Sequence, residues 1–337
     1  MADGKKILIA EDVTGSGIDR LKQKYQVESD WDLWKKIPQL KDALRDADAL
    51  LVRNQTKVNA DLLAQARLLK IIGRAGAGYD NIDVEAASQV GVVVCYSPEE
   101  NAVSVAEHVF GLLLALARKI PGADRSVKNG GWERKKYHGF ELMGKTLGIL
   151  GLGKIGFRVA LRAKAFGMRL LAHDAYLSST SLHVTESGAT LVAMDQLLAE
   201  SDFLSVHLPL TLETRGLLNR QSFSKMKPTA FIINTSRGEV LVEKDLALIL
   251  QQGQLAGAAL DVREKEPPAA DSPLNGLDNV ILTPHTAGLT YEAQEKVVEA
   301  IAEDVDRVLS GQPALRFVNF ALPKKKEKGT DGRRKNR

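Results

Sequence analysis

Three short polar segments carry residue types capable of chemistry. Asn234-Thr235-Ser236-Arg237-Gly238-Glu239 offers a guanidinium, Ala259-Leu260-Asp261-Val262-Arg263-Glu264-Lys265-Glu266-Pro267-Pro268 offers carboxylates, and Thr283-Pro284-His285-Thr286-Ala287-Gly288 offers an imidazole. An imidazole exchanges protons near neutral pH, and a carboxylate beside it holds its tautomer and stabilises its charged form. An arginine clamps an anionic carboxylate through two parallel bonds and polarises a neighbouring carbonyl, which the point charge of a lysine does less well. Together they amount to acid–base chemistry on a small anion. On sequence alone Glu264 and Glu266 compete for the carboxylate's place. His207, in Val206-His207-Leu208-Pro209, is the rival imidazole. His108 lies on a helix with an apolar continuation and reads as a core or interface histidine; His138, His173 and His183 give no sharp signal.

A fourth segment, Leu147-Gly148-Ile149-Leu150-Gly151-Leu152-Gly153-Lys154-Ile155-Gly156, reads as a strand, a glycine turn and a helix start. Gly151 allows the tight turn, Gly153 lets backbone approach a pyrophosphate, and Gly156 lets the helix pack on the strand. The helix N-terminus presents free N–H groups and the positive end of its dipole to a diphosphate. A second strand follows and ends at Asp174, 18 residues past Gly156, near the spacing of a ribose-binding carboxylate. Its charge would repel a 2′-phosphate, so NAD is expected rather than NADP.

The elements that must position these groups alternate. Apolar, β-branched runs predict strands at Lys6–Ala10, Ala49–Arg53, Leu69–Gly73, Val92–Tyr96, Thr146–Leu150, Arg169–His173, Phe203–Leu208, Ala230–Asn234, Gly257–Asp261 and Val280–Thr283. The absence of strict apolar–polar alternation fits parallel sheets covered on both faces. Helical stretches between them predict doubly wound α/β architecture. All three polar segments follow predicted strands, and the carboxyl ends of strands are where open α/β sheets bind ligands. Chain crossings are expected at Ser97-Pro98-Glu99-Glu100-Asn101 and Thr286-Ala287-Gly288-Leu289-Thr290. The second precedes a helix from about Tyr291, capped by Thr290 and stopped at Gly311. The layout expected is a Rossmann cofactor domain, 101–289, inserted into a flavodoxin-like substrate domain, 1–100 plus 290–322.

Composition bounds the function. Hydrophobic residues make up 44% and charged residues 26% of the 337, as in soluble globular proteins. The longest apolar stretch, Val109–Ala117, falls far short of the ~20 residues of a bilayer span, and the acidic start argues against a signal peptide. The net charge is +4, but residues 324–337 hold eight Lys or Arg against two acids, which leaves −2 for the remainder. A general nucleic-acid-binding surface is therefore not expected. The segment 323–337 is expected to be a disordered basic tail, solvated or touching anionic polymers. The single cysteine, Cys95, sits in a buried strand and suits the reducing cytoplasm. No metal site is expected.

The polar segments, the glycine motif and the loop Gly73-Arg74-Ala75-Gly76-Ala77-Gly78-Tyr79-Asp80-Asn81-Ile82-Asp83 resemble, as a set over roughly residues 5–320, the D-isomer-specific 2-hydroxyacid dehydrogenases. The likeness is greatest to members acting on 3-phosphoglycerate. It implies NAD-dependent hydride transfer at C2 of a D-2-hydroxy acid, with Arg237, Glu266 and His285 as the catalytic three. It implies cofactor contacts at Gly151, Gly153, Lys154, Ile155, Gly156, Asp174, His207, Leu208, Pro209, Thr214, Thr235, Ser236, Asp261, Ala287 and Gly288, with Asp261 holding the nicotinamide carboxamide. It implies substrate contacts at Arg53, Arg74 and the backbone of Ala75, Gly76 and Ala77. Arg134 and Lys135, in Trp132-Glu133-Arg134-Lys135-Lys136-Tyr137, would reach a phosphate across a homodimer interface, the alternative being a solvated loop. The apolar helix Val103–Ala117 is expected to contribute to that interface. Long phosphoglycerate enzymes carry C-terminal regulatory domains, whereas this sequence closes on the charged tail. A short-form relative acting on hydroxypyruvate, glyoxylate or another small 2-keto acid is therefore an alternative, and an NAD-sensing corepressor-like protein is another of a different class.

Overall fold

A computed structural model describes residues 4–323. The basic-tail expectation for 323–337 falls, but for its first residue, outside them. The chain divides into two compact units, Met1–Asn101 with Tyr291–Arg337, and Ala102–Thr290.

In the first unit, β1 (Lys6–Ile9), β2 (Gln26–Ser29), β3 (Ala49–Val52), β4 (Ile71–Arg74) and β5 (Val93–Tyr96) form a parallel sheet in the order β2-β1-β3-β4-β5. That is the flavodoxin-like order. Successive side chains enter different cores, as the two-residue period of a strand requires. Ile7, Ile9, Leu51, Ile71 and Val93 pack with the helices Ser16–Lys24 and Tyr291–Leu309. Leu8, Leu50, Val52, Ile72 and Val94 face the opposite core. Gly73 is required where the long helix lies on β4, because a Cβ there would come within 2.6 Å of Ile301 and 2.5 Å of Leu51. Gly311, at φ +80°, follows that helix.

In the second unit, β6 (Thr146–Leu150), β7 (Arg169–His173), β8 (Thr190–Leu191), β9 (Phe203–Val206), β10 (Phe231–Asn234), β11 (Gly257–Leu260) and β12 (Val280–Leu282) form a parallel sheet in the order β12-β11-β10-β9-β6-β7-β8. The order reverses between β6 and β9, which is the Rossmann switch point. Leu147, Ile149, Phe203 and Ile233 pack under the helices Ala102–Arg118 and Lys154–Ala165. Leu150, Leu204, Val206 and Ile232 face the other way, toward the helices Met194–Glu200 and Glu243–Gln251.

Two strands escaped the hydrophobic pattern. β2 is an edge strand with mostly exposed side chains, and β8 has two residues. Both are set by backbone pairing with a neighbour, which apolar periodicity does not register. β4 begins two residues later than expected and takes in Arg74, which pairs with Tyr96 and Val52. In the helix Ala102–Arg118, the side chains of Ala106, Val109, Phe110, Leu112, Leu113, Leu116 and Ala117 are buried in the second unit's core.

Candidate active site

The glycine turn lies at the carboxyl end of β6, beside the switch point. Gly151 adopts φ +92°, and a Cβ there would meet the His207 carbonyl at 2.9 Å. At Gly156 a Cβ would stand 2.2 Å from the Gly151 carbonyl oxygen, so strand and helix touch through backbone. Gly153 differs. A Cβ there would meet nothing within 4 Å, and as N-cap of the helix Lys154–Ala165 it brings no side chain to the first N–H groups. A helix start with no capping side chain beside an open space suits a diphosphate. The Asp174 carboxylate, just past β7, accepts the N–H groups of Leu152 (2.9 Å) and Tyr176 (2.9 Å), which fixes it against the same turn.

Beyond β9, His207 accepts or donates through Nε2 to Ser205 Oγ at 2.8 Å, while its Nδ1 is buried with no hydrogen-bond partner among the described residues. Burial lowers its pKa to about 3, so the ring is neutral throughout the physiological range. Thr214 closes the loop after Pro209 by donating to the Pro209 carbonyl at 2.6 Å. After β10, the buried Asn234 folds the next turn by accepting from Ser236 N (3.0 Å) and Ser236 Oγ (2.8 Å) and donating to the Arg237 carbonyl (2.9 Å). The Thr235 hydroxyl there is buried without a partner among the described residues.

His285 and Glu266 come together. His285 Nδ1 donates to Glu266 Oε2 at 2.7 Å, and the side chains remain 35% and 30% exposed, accessible to a small molecule. Glu266 Oε1 accepts the Arg263 N–H at 3.1 Å. Burial alone would raise the Glu266 pKa. The hydrogen bond and charge of His285, the Arg263 N–H and the charge of Arg237 outweigh it and hold the carboxyl below its ordinary range. Arg237 thus acts on the same carboxylate, and its guanidinium donates to the Ser236 carbonyl at 2.7 Å. Glu264 does not compete. Its carboxyl is shifted upward by burial and by Glu243, and its backbone N–H bonds Glu243 at 2.7 Å.

His285 has φ +56°, a left-handed conformation that costs energy for any residue with a Cβ. Asp261 holds it there. Its carbonyl accepts the His285 N–H at 2.8 Å, and its buried carboxylate accepts Thr283 Oγ1 (2.6 Å), Thr286 N (2.9 Å) and Ala287 N (2.9 Å). His108 Nε2 stands 3.5 Å from the same carboxylate and 3.3 Å from Thr283 Oγ1. Burial raises the Asp261 pKa, and these donors reverse the shift to below the ordinary range. Sequence reasoning assigned His108 to core or interface packing; its place beside Asp261 depends on contacts 153 and 175 residues away. The contacts of Thr283 with Asp261 and of the Arg263 side chain with Glu243 are likewise non-local, whereas the Asn234 side chain bonds within its own turn.

In the first unit Arg53 follows β3. Its N–H bonds the buried Glu11 at 2.9 Å, and its guanidinium donates to the Asp12 carbonyl (3.0 Å) and to Gln294 Oε1. Arg74 folds back over its own turn, Nη1 donating to the Ala75 carbonyl at 3.2 Å, and Gly76 at φ +144° leaves it the room. In the second unit Arg134 and Lys135 lie on an exposed 3-10 turn, Arg134–Tyr137, next to Trp132. His173 and His183 cap backbone carbonyls, those of Val192 and Leu152. Burial pushes the Cys95 thiol far up, which leaves it inert.

Residues 110–287 match the family model of the D-isomer-specific 2-hydroxyacid dehydrogenase NAD-binding domain. The chain belongs to this family. The dehydrogenase family's NAD-binding domain is therefore the second unit, the one holding the glycine turn and the His285–Glu266 pair. D-3-phosphoglycerate dehydrogenase of Archaeoglobus fulgidus is 47% identical over 321 residues, 94% of this chain and 59% of that one. The chain thus spans about three-fifths of that relative. Among solved structures, the TT0316 protein of Thermus thermophilus superposes with a TM-score of 0.85 at 32% identity, covering 93% of this chain and 99% of that one. D-lactate dehydrogenase of Aquifex aeolicus, solved with NAD and lactic acid, gives 0.84 at 30% identity over 94% and 99%. No helix among the described residues is long and apolar enough to cross a membrane.

Proposed function

We propose that this dehydrogenase-family chain interconverts a D-2-hydroxy acid and its 2-keto acid with NAD, D-3-phosphoglycerate and 3-phosphohydroxypyruvate being the first choice of pair. The observation that carries the reading is the 2.7 Å His285–Glu266 pair, with Arg237 acting on the same carboxylate, inside an NAD-binding unit. When bound, the nicotinamide supplies or accepts the hydride at C2. The residues fit the cofactor: the open space over Gly153, which lends no side chain to the helix start at Lys154 and Ile155, the fixed Asp174 and the Thr235 hydroxyl, unpartnered among the described residues, all suit it. Leu208, Pro209, Thr214, Ser236, Ala287 and Gly288 complete the proposed contact set, with neutral His207 as a wall. Asp261 Oδ1 is filled by Thr283 and Thr286, whereas Oδ2 accepts the Ala287 N–H; a carboxylate oxygen has room for a second donor, such as the carboxamide.

His285 Nε2, the ring nitrogen that Glu266 leaves open, gives the proton to the C2 oxygen in reduction and removes it from the hydroxyl in oxidation. Glu266 orients the ring and offsets its charge. Arg237 holds the substrate carboxylate and polarises the C2 oxygen. Arg53, Arg74 and the backbone of Ala75, Gly76 and Ala77 are assigned to the anionic substrate by resemblance. The bonds of Arg53 to Asp12 and Gln294 favour a second reading, in which the substrate is an unphosphorylated 2-keto acid. A kcat/KM panel over phosphorylated and unphosphorylated acids separates the two. With a phosphate substrate, Arg53→Ala raises its KM about tenfold or more while sparing glyoxylate and hydroxypyruvate; equal losses on every substrate would end that role.

The proposed setting is the reducing cytoplasm, supported by the one buried thiol, and the proposed assembly is a homodimer. Ile120, Val127, Trp132, Phe140 and Met143 of the second unit are exposed and apolar, which supports self-association. Light scattering at working concentration should give twice the chain mass; a monomer would also remove any role of Arg134 and Lys135 in a partner's site.

A further inference from the structure

Behind the His285–Glu266 pair lies an ion pair that the proposed chemistry does not itself use. The Arg263 side chain is 7% exposed and Glu243 13%. Arg263 Nε donates to Glu243 Oε1 at 2.9 Å, its Nη2 to Glu243 Oε2 at 2.8 Å, and Nη2 also to Ser272 Oγ at 2.8 Å. This is the two-bond fork in which arginine meets a carboxylate with fixed geometry. Glu243 Oε1 takes one further donor, the Glu264 N–H at 2.7 Å. The segment 263–264 is thereby stapled to the first turn of the helix Glu243–Gln251 by both side chain and main chain.

The segments proposed for catalysis in the second unit connect to that staple, the Arg237 turn and Glu266 directly and His285 through Glu266. The Arg263 N–H is the donor to Glu266 Oε1, so the carboxylate is held at one oxygen by the stapled backbone and offers the other to His285. Gly238, directly after Arg237, lies so close to the Arg263 main chain that a Cβ would stand 1.9 Å from its carbonyl carbon. The Arg237 turn is therefore seated against the same peptide. A buried pair of this kind contributes little net stability over apolar residues of like volume. Stability alone does not account for the pair, and the direction of the Arg263 N–H supplies another role.

We infer that Glu243 and Arg263 are positioning residues that set the orientation of Glu266, and through it the Nδ1–H tautomer of His285. The inference rests on the reading of His285 as proton donor, and its test separates the two. Removing one partner alone strands a buried charge, so the informative change in the full-length protein is Glu243→Leu with Arg263→Met, which replaces the pair by apolar volume. The melting temperature should stay near that of the parent. The downfield Nδ1–H proton resonance of His285 in the apoprotein should be present in the parent and lost in the variant. With 2-keto acid and NADH, kcat should fall about 10-fold to 100-fold, the size expected of a misplaced catalytic group, with KM and NADH affinity within about twofold. If the double variant does not fold, Glu243→Asp, which keeps the charge but shortens the reach, is measured in the same way with the same expectation. A parent lacking the resonance, or variants that keep both the resonance and the parental kcat, would overturn the inference. Loss of the resonance in a protein that turns over no 2-keto acid would leave the positioning role standing and remove the proposed reaction.

Discussion

His285 is held in a conformation that its own chemistry does not favour. A non-glycine residue at φ +56° needs surroundings that over-determine it, and Asp261 provides them through the His285 N–H, the Thr283 hydroxyl before it and the Thr286 and Ala287 N–H groups after it. The ring is then met from the other side by Glu266. The division of labour makes the roles separable. His285→Gln should lower kcat by about 10²-fold to 10⁴-fold, the range for loss of a general acid or base, with NADH affinity unchanged in a fluorescence titration. Glu266→Gln keeps a hydrogen-bond acceptor for Nδ1–H and should cost less. A Glu266→Gln loss larger than that of His285→Gln would contradict the assignment. The choice of Glu266 over Glu264 could not be read from the residues alone. Both carboxylates follow β11 within the same short loop, and only the course of that loop turns one toward His285 and leaves the other beside Glu243.

The turn after β6 shows three glycines needed for different reasons. Gly153→Ala meets no protein atom within 4 Å, so the folded chain should accept the methyl group with its melting temperature nearly unchanged. NADH binding should nevertheless weaken at least about tenfold, because the added group occupies the space a pyrophosphate would approach. Gly156→Ala puts a carbon 2.2 Å from the Gly151 carbonyl oxygen and should lower the melting temperature as well as binding. Equal effects from the two substitutions, read by thermal denaturation and fluorescence titration, would refute the distinction. This turn was legible from sequence because its determinants are contiguous: strand, glycines and helix start lie within ten residues. The long parallel strands were legible for a related reason. Burial on both faces makes them continuous apolar runs, whereas the edge strands β2 and β8 are specified by a neighbour's backbone and left little trace.

Across the molecule, each unit builds two cores on the two faces of its sheet, and polar groups buried near the second sheet make stability depend on pH. His207 has its pKa lowered by burial from 6.5 to about 3. The unfolded chain therefore binds a proton there that the folded chain refuses. The associated stability is fully present above pH 6.5 and is lost as pH falls toward 3. Urea unfolding across pH 7 to pH 4 should show a declining stability, and His207→Gln should flatten the decline; an unchanged slope would mean that the ring is solvated. Asp261 and Glu266 work at lower pH. Their folded values lie below the ordinary 3.8 and 4.5, so what they contribute is complete above those values and disappears on acidification through them. By itself the sequence determined the alternation of elements, the dinucleotide turn and the residue types available at the strand ends, since each is written in neighbouring residues or in a short period. Tertiary structure alone decided which carboxylate meets the imidazole, that His108 stands beside Asp261, and that Arg263 and Glu243 tie the loop after β11 to the helix Glu243–Gln251. Each of these depends on a direction in space between groups that the chain order keeps apart, and a side chain's partners are set by where the backbone brings it.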